Sequence, residues 1–393
     1  MTYEGFASAQ SFLLWSTFAI ALVMGAVVNK TNFCTMGAVS DWVNMGDTGR
    51  LRAWVLAIAI GVLGVTALEA AGLVNVSSTF PPYRQNNLVW LENVVGGVLF
   101  GIGMTLASGC GNKTLVRIGG GNLKSVMVLL VIGLIAYFMI NPFPGSDKTL
   151  YSTLFYPWTQ PATIALSTNQ DLGAILFGDK VATGRIVMGA AIGVLMLIWV
   201  FRSADFRGSF DNILGGLVVG LAVLAAWYVT SNVKVNADGD ILSLQAYVQD
   251  WDLYAPADAV RPAAAGPLAS QSFTFINPMG QALGYAAKGF DHTLLTFGIM
   301  ALAGVLAGSL LWSLVSRSFR TEWFASGRDF VNHLVGATLM GFGGVLAMGC
   351  TIGQGVTGFS TLALGSILAF VAIVIGSAAT MKVQYALMMR AEG

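Results

Sequence analysis

Nine apolar stretches leave this chain few ways to fold: 12–28, 53–72, 91–110, 125–141, 183–201, 211–229, 293–315, 331–350 and 361–380. Each is close to the ~20 residues that a helix needs to cross the hydrocarbon layer. In lipid the backbone must satisfy its own hydrogen bonds, and runs of this length do so as helices. Charge decides that these are membrane spans and not a buried soluble core. Only 10% of the residues are charged and the mean hydropathy is +0.72, whereas soluble domains carry about a quarter charged residues. With a net charge of +1 and no run of Lys or Arg, nucleic-acid binding and disorder are excluded as well. Trp54, Trp90, Trp199, Tyr228 and Trp312 punctuate the span ends as an interfacial belt does. The expected fold is all-α and integral to the membrane, with about nine transmembrane helices.

The basic residues orient the spans. With the N-terminus outside, 13 of the 20 Lys and Arg fall in inner loops or the tail. Seven remain outside or at an outer helix end, most of them in the long loops 142–182 and 230–292, where the positive-inside rule carries less weight. The expectation is a multi-pass protein of the cell inner membrane, N-terminus outside and C-terminus cytoplasmic. Glu4 is the only charge before Lys30, so no cleaved signal peptide is expected. Loop 230–292, with six Asp and three basic residues, reads as a solvated external excursion.

An internal repeat is the strongest pattern. Residues 95–110 and 335–350 match at an offset of 240, with nine of 16 positions identical, including four glycines and the terminal cysteine. Two unrelated apolar helices would share Leu, Val and Ala, but not a Gly–Cys end. With the spans alternating, the copies run in opposite directions, so residues 1–150 form a first repeat. Residues 151–210 hold a connecting loop and linker helix, and 211–393 form a second, inverted repeat: a 4+1+4 arrangement. Inverted repeats are a transporter architecture with the site near the midplane. Of 48 glycines, 18 crowd into 93–122 and 335–366. Such density allows close helix contact and also invites short or re-entrant helices lining a pathway.

The chemistry rests on three cysteines, Cys34, Cys110 and Cys350. They form no C-x-x-C pair, so neither a disulfide framework nor a metal site is expected. No P-loop, H-E-x-x-H motif or Ser/His/Asp set is visible, so no cofactor and no catalytic residue is expected, and the chain reads as a non-enzyme. Two thiols at equivalent ends of inverted repeats read as stations on a path, with Gly109, Gly111, Gly349 and Thr351 beside them. Acidic groups that would select a cation are nearly absent from the spans. A soft sulfur-containing anion suits neutral thiols together with helix N-termini. Lys30 and Lys113 could attract an anion near the inner side, or simply anchor the helices. Glu69 is a polar group close to the membrane, either functional or reaching back to the interface.

Phe33-Cys34, Gly109-Cys110 and the run 341–350 resemble the YeeE/YedE family of sulfur-transport membrane proteins. The resemblance covers nearly the whole chain and is loosest in the two long loops. It implies an hourglass-like helical fold with short helices dipping in from both faces. It implies uptake of thiosulfate along three cysteines, matched here by Cys34, Cys110 and Cys350. It also implies a cytoplasmic TusA-like sulfur-carrier protein as partner. One branch of the family is linked to selenium compounds, so a selenium-compound transporter is an alternative. A membrane thiol enzyme moving sulfane sulfur or redox equivalents is another, although no C-x-x-C or adjacent base is visible to make a reactive thiolate. A passive channel for a neutral solute would leave the cysteines without a reason.

Overall fold

Long helices with no polar stripe build the computed structural model, which describes residues 1–256, 261–262 and 268–392. In chain order, helix α1 (Phe6–Lys30) is followed by the short α2 (Thr35–Ser40), α3 (Gly49–Ala70) and α4 (Trp90–Leu106). Next come α5 (Gly111–Gly119), α6 (Leu123–Ile140), α7 (Val181–Phe201) and α8 (Phe210–Asn232). The last four are α9 (Ile276–Ala287), α10 (Phe297–Val315), α11 (Gly327–Leu346) and α12 (Leu364–Glu392). Among the described residues, eight helical runs are long and apolar enough to cross a membrane. The protein is an all-α, multi-pass membrane protein.

The ninth expected span, 331–350, is α11, which is helical for 20 residues but is not one of those eight runs. Its first turns carry Arg328, Asp329, Asn332 and His333. Its exposed side is still apolar, with Phe330, Val331, Leu334 and Val335, while His333 and the glycines Gly336, Gly341, Gly343 and Gly344 are buried against protein.

The α4–α11 contact is set by glycine. A methyl group on Gly103 would lie 2.6 Å from the carbonyl oxygen of Gly336, and one on Gly336 would lie 2.6 Å from that of Gly103. Gly96 and Gly343 meet in the same reciprocal way, with the Gly343 methyl 2.6 Å from the Gly96 oxygen. As the position rises on one helix it falls on the other, so the helices cross antiparallel. Gly96 and Gly336, like Gly103 and Gly343, hold matching positions of the repeat, so the contact exchanges equivalent residues. Close backbone approach of this kind holds helices together in lipid, where burial of apolar surface gives little drive. Gly101 packs on Ile373 of α12, and Gly341 on Ile135 of α6.

The chain ends of α3 and α8 share a face with the N-terminus. Asn232 donates to the Leu73 carbonyl at 2.7 Å, and strand Thr2–Tyr3 pairs with Lys234–Ala237. Loop 230–292 departs from expectation in its second half. Residues 234–237 and 240–243 form a hairpin and 244–254 two short helices over α1. From Ser272 onward, however, the chain re-enters the bundle. Phe273, Phe275 and Ile276 are fully buried, and Ile276 packs against Gly111 and Gly344. The segment escapes sequence reading because α9 is only 12 residues long and begins Ile-Asn-Pro. Asp258 of the expected loop lies outside the described residues.

Candidate functional site

One backbone device precedes each of the three cysteines. The long helix closes with a residue of positive φ: Asn32 at 52°, Ser108 at 58° and Met348 at 56°. The N–H of the next residue reaches back five positions, Phe33 to Val28 at 3.2 Å, Gly109 to Met104 at 2.8 Å and Gly349 to Gly344 at 2.8 Å. This is a Schellman closure. The cysteine follows, and its carbonyl accepts the first bond of a new short helix, from Ala38, Thr114 and Gln354 at 3.0, 2.9 and 2.8 Å. Left-handed backbone at Asn, Ser and Met costs about 1–3 kcal/mol each and persists where the surroundings impose it, commonly at functional sites.

A cysteine at the start of a helix is a weak cap where Ser, Asp or Asn would normally stand. Neither Cys34 nor Cys110 makes a side-chain cap bond. The first N–H groups of α2 and α5 thus have no cap from these side chains, and helix starts of this kind attract anions. Backbone N–H groups do face two of the sulfurs: that of Lys113 faces Cys110, and at Cys350 the Gly353 N–H approaches at 3.4 Å with those of Phe275 and Ile352 beside it.

The three thiols are free and buried, with exposures of 5%, 2% and 0% for Cys34, Cys110 and Cys350. Although 76 and 240 residues apart in sequence, they are neighbours. The Cys110 thiol is within electrostatic reach of both Cys34 and Cys350 and meets the Thr351 side chain. Of the flanking residues, Gly109 touches the Lys113 stem, Gly111 packs on Ile276, and Gly349 packs on Gln354.

Cations gather on the Cys34–Cys110 side. Lys113 lies in electrostatic reach of Cys34, Cys110, Arg117 and Arg50, and its ammonium donates to the Asn32 side chain. Arg117 donates to the Ser108 carbonyl at 2.9 Å, so both left-handed turns are held by a cation. Arg50 pairs with the buried Asp41, one bond measuring 2.6 Å, and lies directly against the Cα of Gly37. Sequence reading missed Arg50 and Arg117, since span-end basic residues look like ordinary anchors. Lys30 is engaged elsewhere: it pairs with Asp211 at 2.6 Å and covers the Phe210 ring.

Another set of groups holds the Cys350 segment. Tyr83 donates to the Gly353 carbonyl at 3.0 Å, and burial, with Cys350 nearby, pushes its phenol above the usual range, so it remains a donor. Arg84 donates to the Thr361 carbonyl at 2.8 Å and makes two bonds to Glu69, at 2.6 and 3.0 Å. Arg185 bonds both Glu69 and the fully buried Asp171. Glu69 therefore belongs to an ion network at the end of α3, not to the cysteine neighbourhood. Among the described residues, no group of His, Cys, Asp and Glu could hold a metal ion.

Residues 30–379 match the family model described as sulphur transport. The thiosulfate transporter TsuA of Escherichia coli (strain K12) is 24% identical over 350 residues, covering 87% of this chain and 86% of that protein. The thiosulfate transporter TsuA of Spirochaeta thermophila is 21% identical over 376 residues, covering 93% of this chain and 97% of that one.

Proposed function

This chain belongs to the sulphur transport family, a membrane transporter and not an enzyme, and on that premise we propose that it imports thiosulfate or a closely related soft sulfur anion. The observation that carries the reading is the place of Cys110, in reach of both other cysteines, with each thiol at the start of a short helix. A neutral thiol does not repel an anion, and its polarizable sulfur and weak S–H donor suit the terminal sulfur of thiosulfate. Helix N-termini and the Lys113–Arg117–Arg50 group offset the negative charge on the Cys34 side. Passage then runs along Cys350, Cys110 and Cys34, with Gly109, Gly111, Gly349 and Thr351 lining it. The names of the two relatives support thiosulfate over a selenium compound.

The location follows the same reading. The protein sits in the inner membrane with its N-terminus outside and its C-terminus cytoplasmic, so Cys34 and its cations face the cytoplasm. Residues 1–150 and 211–393 act as inverted halves joined by 151–210. A small TusA-like sulfur carrier receives the anion on the cytoplasmic side; this part rests on the family resemblance alone.

The test is growth on thiosulfate as sole sulfur source in a strain lacking other sulfate and thiosulfate importers. Cys110→Ala is expected to abolish growth, and Cys34→Ala and Cys350→Ala to reduce it sharply. Normal growth of all three variants at equal membrane abundance would sink the proposal.

A further inference from the structure

Three buried threonine hydroxyls, those of Thr35, Thr274 and Thr351, have no oxygen or nitrogen partner among the described residues, and Thr351 has only the weakly accepting Cys110 sulfur beside it. Leaving a buried hydroxyl unpaired costs about 1–3 kcal/mol, so three of them in one neighbourhood call for a reason. Other buried threonines in this protein are paired: Thr105 donates to the Gly101 carbonyl, Thr114 to Cys110 and Thr357 to Phe273.

All three of these hydroxyls stand beside the cysteines. Thr35 and Thr351 directly follow Cys34 and Cys350 and open their short helices, and both are almost completely buried. Thr351 also meets the Cys110 thiol, so it stands between the central cysteine and its neighbour. Thr274 lies against Gly353, where an added methyl would be 2.5 Å from its hydroxyl oxygen. Gly353 is the residue whose N–H approaches the Cys350 sulfur.

We propose that Thr35, Thr274 and Thr351 are the oxyanion-reading donors of the pathway: their hydroxyls bind the sulfonate oxygens of the passing anion while the thiols contact its terminal sulfur. This inference rests on the transport reading above and adds a specificity rule to it. Thiols alone would accept any soft sulfur species, hydrosulfide included. Hydroxyls without an oxygen or nitrogen partner in the protein favour an anion bearing oxygens, because such an anion satisfies them fully. The two donor sets together select a sulfur anion with one soft end and one oxygenated end, and disfavour both sulfate and hydrosulfide.

Valine keeps the shape of threonine and removes only the hydroxyl. The experiment reconstitutes the full chain in liposomes and follows uptake of radiolabelled thiosulfate and thermal stability in detergent for Thr35→Val, Thr274→Val, Thr351→Val and Thr351→Ser. Thiosulfate uptake by Thr351→Val is expected to fall about tenfold or more, the loss of one satisfied donor. Its melting temperature is expected to stay level or rise, because only a weak contact with the Cys110 sulfur is lost; a merely structural threonine would lower it. Thr351→Ser is expected to restore uptake. Wild-type uptake by all three valine variants, with uptake abolished in Cys110→Ala, would overturn this inference and leave the cysteine pathway standing. Undiminished uptake by Cys110→Ala would bring both down.

Discussion

Replacing Gly343 with leucine is expected to remove the folded protein from the membrane. The first atom of the new side chain would lie 2.5 Å from the Phe100 backbone nitrogen and 2.6 Å from the Gly96 carbonyl oxygen. Both are backbone atoms of α4 and cannot rotate away. Overpacking a core costs about 1–3 kcal/mol where neighbouring side chains can shift, and more where they cannot. Here α4 and α11 would have to separate, and the two Gly–Cys turns that follow them would separate too. Fluorescence-detected size exclusion of a tagged variant checks this: the monodisperse peak should vanish for Gly343→Leu and for its equivalent, Gly103→Leu. Leucine at Gly145, where nothing stands within 4 Å, should leave that peak unaffected by crowding, although its φ of +75° makes the turn less favourable.

Arg84→Ala is the second large effect. The Arg84 side chain is 1% exposed, makes two bonds to Glu69 and one to the Thr361 carbonyl, and lies 4.0 Å from Asp171. Breaking a buried ion pair by removing one partner costs about 3–5 kcal/mol, because the other charge stays behind without water. Arg185 still reaches Glu69, so the expected loss lies toward the lower end of that range. It should appear as a marked fall in melting temperature in detergent. Arg84→Lys should not rescue it, since an ammonium cannot make the paired bonds to Glu69 and also reach Thr361. The Lys30–Asp211 pair serves as a control. With side-chain exposures of 30% and 54%, it is worth about 0–1 kcal/mol, and Lys30→Ala should shift melting little. Because Thr361 follows the Cys350 segment, Arg84→Ala should also loosen that cysteine and raise its labelling rate by a maleimide.

Much of this was legible because lipid imposes simple rules. All nine apolar stretches are helical over most of their length; Trp90, Trp199 and Tyr228 stand exposed as a belt requires, but Trp54, expected with them, is buried and stacked on Phe33 and Phe370. The Gly–Cys repeat announces the α4–α11 crossing, since conserving identical glycines at matching positions serves close backbone contact. Cys34 hid its kinship with the other two cysteines. Its turn reads Asn-Phe-Cys, whereas the others read Ser-Gly-Cys and Met-Gly-Cys. The likeness lies in the left-handed residue two positions earlier, and side chains as different as Asn, Ser and Met adopt that backbone. The partners of Glu69 were also hidden, since Arg84 and Arg185 come from separate loop and helix segments. Thr274 and Phe275 lay in what composition presents as a solvated loop, because a short buried helix opening with Asn-Pro carries no membrane signal. A basic residue at a span end reads as an anchor until the fold brings three of them to one pair of thiols.

The proposed route of a soft sulfur anion through this protein runs by way of Cys110. Uptake of radiolabelled thiosulfate into liposomes holding purified full-length protein, wild type against Cys110→Ala, tests it most directly. Saturable uptake is expected for the wild type and background uptake for Cys110→Ala, with both proteins eluting and melting alike. Equal uptake by the two would contradict it.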